Sequence, residues 1–350
     1  MTQLLQECIE RLEQGDEADR IYAAEDIGFA NDAGGIAPLL ARLPADPSRA
    51  VKEAIFAALL QIEDDAVIEG ALELLDSEDA FLRNQAVELL RALGSRTAPY
   101  LDRAYTAGGP DRRKFVIDII SRMADGAFID LYHRALHDSD LNVVIAAVEN
   151  LGNTRQVQFR QEIQSMVAPG AHPMLLGACI EALAQIGDGT SLTAVRSSFG
   201  TAGVPGYLQP SYLKLVGATG GAAQVNEIAS FAASATLDGA VLNALTSLRN
   251  RHPDVKLPAT LAVAFQDMAA RNPSQLAYQA LRLLSGLAGD SDVFNFLLSR
   301  LDDPDKVIRI GAIQAMREAG GEAVEAALDG RLSGETDPDI LQAWGGKSTR

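Results

Sequence analysis

Aromatic residues make up only 5% of this 350-residue chain, with a single tryptophan, and cysteine occurs twice. A core so poor in rings must be assembled from Ala, Leu, Ile and Val, which suits close helix–helix packing better than sheet packing. Cys8 and Cys179 are too widely spaced for a metal knuckle or a redox pair, a usage expected of a cytoplasmic protein. No run approaches 18 uncharged apolar residues, and the most apolar segment, 168–180, is broken by Pro169, Gly170 and Pro173. A transmembrane helix is therefore not expected. The stretch from Met1 to Glu7 lacks a basic region followed by an apolar run, so no signal peptide is expected either. Positive charge is also scarce, with 30 basic against 47 acidic residues and a net charge of −17. The deficit is concentrated in residues 1–80, which hold 19 acidic and 5 basic side chains. Binding to a phosphate backbone needs clustered Lys and Arg, and only residues 81–134 have a local basic excess, 9 against 6. No nucleic-acid partner is expected. An acidic segment of this kind favours solubility or a basic protein partner.

What the chain does have is internal repetition. One column of apolar residues runs Ile27, Leu59, Leu90, Ile120, Leu151, Leu183, Val216, Leu245, Leu284 and Met316, at steps of 29 to 39 residues. Four residues earlier runs a second column, Ala23, Ile55, Ala86, Val116, Ala147, Cys179, Tyr212, Val241, Ala280 and Ala312. Residues four apart share a helix face, so each repeat has a helix that buries this pair. A third column, three residues after the first, runs from Ala30 and Ile62 to Leu287 and Ala319. A preceding helix is expected in each repeat, for example Ile36–Leu43, Val67–Leu75, Phe128–Leu136 and Val293–Leu301. Turns such as Asp46-Pro47-Ser48, Asp138-Ser139-Asp140 and Asp303-Pro304-Asp305 supply caps for the second helix. Gly94, Gly187, Gly220 and Gly320 stand where a left-handed helix cap is wanted. The expected fold is all-α: a single α-solenoid over residues 1–350 of about ten helix-turn-helix units, elongated because no unit buries its apolar face alone. The 39-residue step implies a longer loop or bend at 250–260.

The repeat resembles the HEAT-like repeats named after the phycobilisome lyases. The resemblance rests on Val51-Lys52 with Leu59, on Leu82-Arg83 with Ala92-Leu93-Gly94, on Ala182 to Asp188, and on Ile308-Arg309 with Ala312. It covers nearly the whole chain and implies a right-handed superhelix. The family's basic position is Arg20, Lys52, Arg83, Arg113 and Arg309, but becomes Val144, Leu176, Gln209, Asp238 and Ala277 in between. That middle is almost uncharged. Residues 163–248 contain only Glu181, Asp188, Arg196, Lys214, Glu227 and Asp238.

Catalytic patterns are thin. His133 and His137 stand four apart with Asp130 and Asp138 nearby, a ligand set short of a zinc site and better read as two exposed histidines. None of the four histidines precedes a glutamate, as an iron-binding HEAT hydroxylase would require. Gly345 to Thr349 resembles the end of a phosphate loop, but the earlier glycine position is Leu341. No cofactor is implied. Two surfaces stand out instead. Two positions past the second column, consecutive repeats present Glu88, Asp118, Glu149 and Glu181, which would form an acidic ridge on the concave face. The uncharged middle offers Tyr207 and Tyr212, suited to anchoring a partner or a second copy of the chain as a homodimer. The expected function is a cytoplasmic protein-interaction scaffold or regulatory adaptor without catalytic activity. The alternative that the resemblance implies is a bilin lyase or bilin-handling protein acting with a partner subunit.

Overall fold

A computed structural model describes residues 3–121, 123 and 128–345. Among the described residues there are 22 α-helices and no strand, with short 3-10 turns at several junctions. The helices follow one another in eleven pairs, one more than the columns indicate. They divide into two compact units, Met1–Thr154 and Arg155–Arg350.

The first unit holds repeats 1 to 5. Their helices are Gln3–Gln14 with Glu17–Ala30, Ile36–Ala45 with Arg49–Gln61, Ala66–Leu74 with Ala80–Ala92, Ala98–Ala107 with Pro110–Ile120, and Ile129–Leu136 with Leu141–Asn153. The second unit holds repeats 6 to 11. These are Arg160–Met166 with Pro173–Ile186, Gly189–Phe199 with Gln209–Thr219, Val225–Ala229 with Asp238–Arg251, Leu261–Arg271 with Ser274–Leu284, Ser291–Arg300 with Lys306–Ala319, and Glu322–Leu332 with Pro338–Trp344. Residues 252–260 connect repeats 8 and 9 without a helix. Gly346 to Thr349, the tail resembling a phosphate loop, lies outside the described residues.

Both main columns are buried at all ten positions, none more than 2% exposed. The third column is buried only at Ile62, Ile186 and Leu248. In seven of the ten repeats it falls at the last residue or cap of the second helix, Ala30, Ile62, Leu93, Thr154, Ile186, Thr219 and Ala319, where the packed face of the helix ends. Helix starts follow the polar turns. Ser48, Asp79, Asp140 and Asp305 each accept a hydrogen bond from an amide in the first turn of their helix. The glycine caps divide. Gly94 and Gly320 have φ of 63° and 68°, whereas Gly187 and Gly220 are extended rather than left-handed. There the requirement is space: a Cβ would lie 2.3 Å from the Leu183 carbonyl oxygen and 2.6 Å from that of Val216.

The basic family position has a structural task. Arg20 forks onto the buried Asp46 of the next repeat at 2.7 and 3.2 Å, and also donates to the Gly15 carbonyl of its own turn. Arg113 repeats the arrangement on Asp138, with 2.7 Å to each oxygen, and on the Gly108 carbonyl. Lys52 reaches Asp79 at 3.1 Å. Asp238, at the same position in repeat 8, is no loss of the rung but its inversion. It accepts 2.7 and 2.8 Å bonds from Arg271 and 2.7 Å from Asn272, the turn residue standing where repeat 2 has Asp46.

Candidate protein-interaction surface

Second helices expose one face at the position two residues before the first buried column. In the first unit Glu25, Glu88 and Glu149 are exposed there and Asp118 is half-buried. Helix contacts join the second helices of repeats 3, 4 and 5, so the last three share one continuous surface. The surface is less negative than the sequence suggests. Glu88 pairs with Arg91 at 2.5 Å and Asp118 with Lys114 at 3.2 Å, each base lying one turn along the same helix. Arg91 also donates to the Asp118 carbonyl, and Asn150 to the Asp118 carboxylate, so these side chains stitch repeats together as well as facing water. The Glu149 side chain makes no hydrogen bond or ion pair among the described residues. Glu181 belongs to the second unit, where it pairs with Lys214.

Of the two tyrosines, Tyr207 is 61% exposed on the turn before Gln209. Tyr212 is not a surface residue. It is 2% exposed, it occupies the second buried column, and its hydroxyl donates to Glu227 while accepting from Arg196 at 3.0 Å. Burial, then the Glu227 carboxylate, push its phenol up to about 12. A partner could not reach it without unpacking repeat 7.

The strongest exposed feature lies in repeat 1. Phe29 is 90% and Tyr22 58% exposed, seven residues apart on the helix Glu17–Ala30, with exposed Glu25 between them on the same face. The sequence signal was available. At the Phe29 position later repeats carry Gln61, Ala92, Asn153 and Gln185, so an aromatic ring there departs from the pattern. The unit around it is acidic, since residues 1–154 hold 28 acidic and 14 basic side chains.

The described residues contain no cluster of three or more potential metal ligands. His133 and His137 are exposed, and the Asp138 carboxylate beside them is taken by Arg113 and by the Tyr105 hydroxyl at 2.5 Å. Burial pushes the Cys179 thiol up to about 12, which keeps it protonated at neutral pH. No helix among the described residues is long and apolar enough to cross a membrane.

Residues 5–91 match the HEAT-repeat family. A solved structure of Kap95p with RanGDP contains a chain that is similar over 97% of this one, at 12% identity and a TM-score of 0.58. The fold is an α-solenoid of HEAT repeats. This chain spans 55% of that Kap95p-complex chain. An engineered protein is 14% identical over 98% of this chain and 97% of its own, with a TM-score of 0.37. No curated protein sequence matches. The HEAT-repeat match covers the first three of the eleven helix pairs, and the same buried columns continue through the helix pairs beyond it.

Proposed function

We propose that this HEAT array is a protein-interaction scaffold without an active site, and that its first unit receives a basic segment carrying apolar anchors. The reading rests on one observation: Tyr22 and Phe29 stand exposed on a single helix face with Glu25 between them, inside an acidic unit. Two rings of this size in water are a standing loss unless a partner covers them, and aromatic anchors dominate interface energetics. Carboxylates at the matching position of later second helices in the same unit, Glu88, Asp118 and Glu149, add longer-range attraction for Lys and Arg and raise the encounter rate. The fold-level likeness to the Kap95p–RanGDP structure supports a protein partner by analogy only. The lyase-type assignment of the repeats, resting on Val51-Lys52 with Leu59, Leu82-Arg83 with Ala92-Leu93-Gly94, Ala182 to Asp188, and Ile308-Arg309 with Ala312, belongs to the same proposal, with a bilin-handling protein as its alternative.

The test is comparative capture from the native cell with the wild-type chain and with a Tyr22→Ala/Phe29→Ala variant. Both substitutions are at exposed positions, so the melting temperature should hold within a degree or two, equivalent to about 0.5 kcal/mol. A protein held by the wild type and lost by the variant is the expected result. Identical captures would remove this face from consideration.

A further inference from the structure

On the second helices of repeats 8, 9 and 10, the charge has the opposite sign. A cleft of about 530 Å³ there is lined by Arg249, Arg282, Tyr278, Gln279, Pro253 and Glu318. A neighbouring cleft shares Arg282 and Glu318 and adds Arg317, which is exposed and has no carboxylate partner among the described residues. Three arginines against Glu318 and Asp339, the latter paired with Lys306 at 2.6 Å, make this a cationic spot on a chain of net charge −17.

Inside the cleft, Glu318 already occupies the seat. Its Oε1 accepts from Arg249 Nη2 at 3.1 Å and its Oε2 from Arg282 Nη2 at 2.9 Å. The two bases come from different repeats, 33 residues apart in sequence, and a single carboxylate bridges them. Arg282 is further fixed by Nη1 donating to Gln314 Oε1 at 2.8 Å, an acceptor it shares with the Tyr278 hydroxyl at 2.6 Å. A planar guanidinium held this way is preorganised to receive a carboxylate. Arg282 and Glu318 remain 38% and 39% exposed, and Arg249 is 19% exposed, so the seat is open to a competitor.

We propose that this cleft binds an acidic side chain from an extended peptide of a protein partner, and that Glu318 is a built-in competitor that the incoming carboxylate displaces. The cleft has the size of a small-ligand site, with Tyr278 and Pro253 as apolar wall and the Gln279 amide able to meet peptide backbone. A nucleic-acid strand would need a longer row of free cations than this cleft offers. The inference concerns the opposite partner charge on a different unit from the aromatic face of repeat 1, so either reading can fail without the other.

The probe is a capped, fluorescently labelled octapeptide of alternating leucine and glutamate, titrated by anisotropy. Its glutamine counterpart and an eight-nucleotide thymidine strand serve as the other arms. Arg249→Gln and Arg282→Gln should each weaken the glutamate peptide about tenfold, as expected for loss of one charge-assisted contact. Glu318→Gln should act in the other direction and tighten it about tenfold, because the competing charge is gone while the side-chain shape remains. Should Arg282→Gln fail to fold, the exposed Glu318→Gln variant still decides. Unchanged or weaker binding on Glu318→Gln, or no saturable binding by either that variant or the wild type, overturns the proposal. Equal binding of the glutamine peptide or the thymidine strand overturns it as well.

Discussion

Asp46 illustrates how single residues hold this chain together. It is buried, yet Arg20 from the preceding repeat, Arg42 from its own and the Ser48 amide all donate to it. Burial pushes its carboxyl upward, but those hydrogen bonds outweigh the burial and hold it below the usual carboxylate range. The same balance governs Asp138 with Arg113 and Tyr105, and Asp238 with Arg271 and Asn272. A carboxyl whose pKa is lower folded than unfolded contributes stability that is complete above the unfolded value, about 4, and is lost as pH falls through the folded one. Thermal stability should therefore fall steeply below about pH 4, with three carboxyls contributing. Asp46→Ala should destabilise the chain by about 3 kcal/mol in urea titrations, because it strands two guanidinium groups, and should flatten the acid limb. An unaltered acid limb would show that the rung carries none of this dependence.

At the scale of helices, spacing in the sequence was sufficient for most of the fold. Aliphatic residues four apart, recurring every 32 or so positions, have no other way to be buried, and Leu90 and Leu183 fall where that logic puts them. Other features were less legible. Tyr212 shares the buried column, but its ring suggested a surface anchor. Only the packing of repeat 7 around its hydroxyl, with Arg196 and Glu227, reveals a satisfied core tyrosine. Repeat 11 escaped because its second helix, Pro338–Trp344, buries only Ile340 and Ala343, too little for a column. The inverted rung at Asp238 was hidden because its partners, Arg271 and Asn272, lie 33 and 34 residues away. Glycines sharpen the point. A Cβ on Gly217 would come within 2.6 Å of Ala244 Cα on the next second helix, whereas one on Gly330, in the last turn of Glu322–Leu332, would meet nothing. Gly217→Ala should then cost about 1–3 kcal/mol by pushing two helices apart. Gly330→Ala should stabilise by up to about 1 kcal/mol through helix propensity. Chemical denaturation of the two variants checks the opposite signs, and two shifts of the same sign would contradict the packing.

Across the whole molecule, charge is divided by unit. Residues 1–154 hold most of the excess negative charge, while the second helices of repeats 8 to 10 gather the half-buried Arg249 and Arg282 and the exposed Arg317. Such segregation suits a scaffold that takes partners of opposite charge on separate surfaces. In the proposed function the acidic unit with Tyr22 and Phe29 recruits a basic segment. The most direct test of that recruitment is stopped-flow association of a lysine- and leucine-containing amphipathic peptide, across a salt series. The wild type is compared with a variant in which Glu25, Glu88 and Glu149 become Gln and Asp118 becomes Asn. The amides keep size and hydrogen-bonding oxygens, so folding should be retained. The wild-type association rate should fall by about tenfold or more between low and physiological salt, and the variant should associate slowly with little salt dependence. Equal rates and equal salt slopes in the two proteins would contradict it.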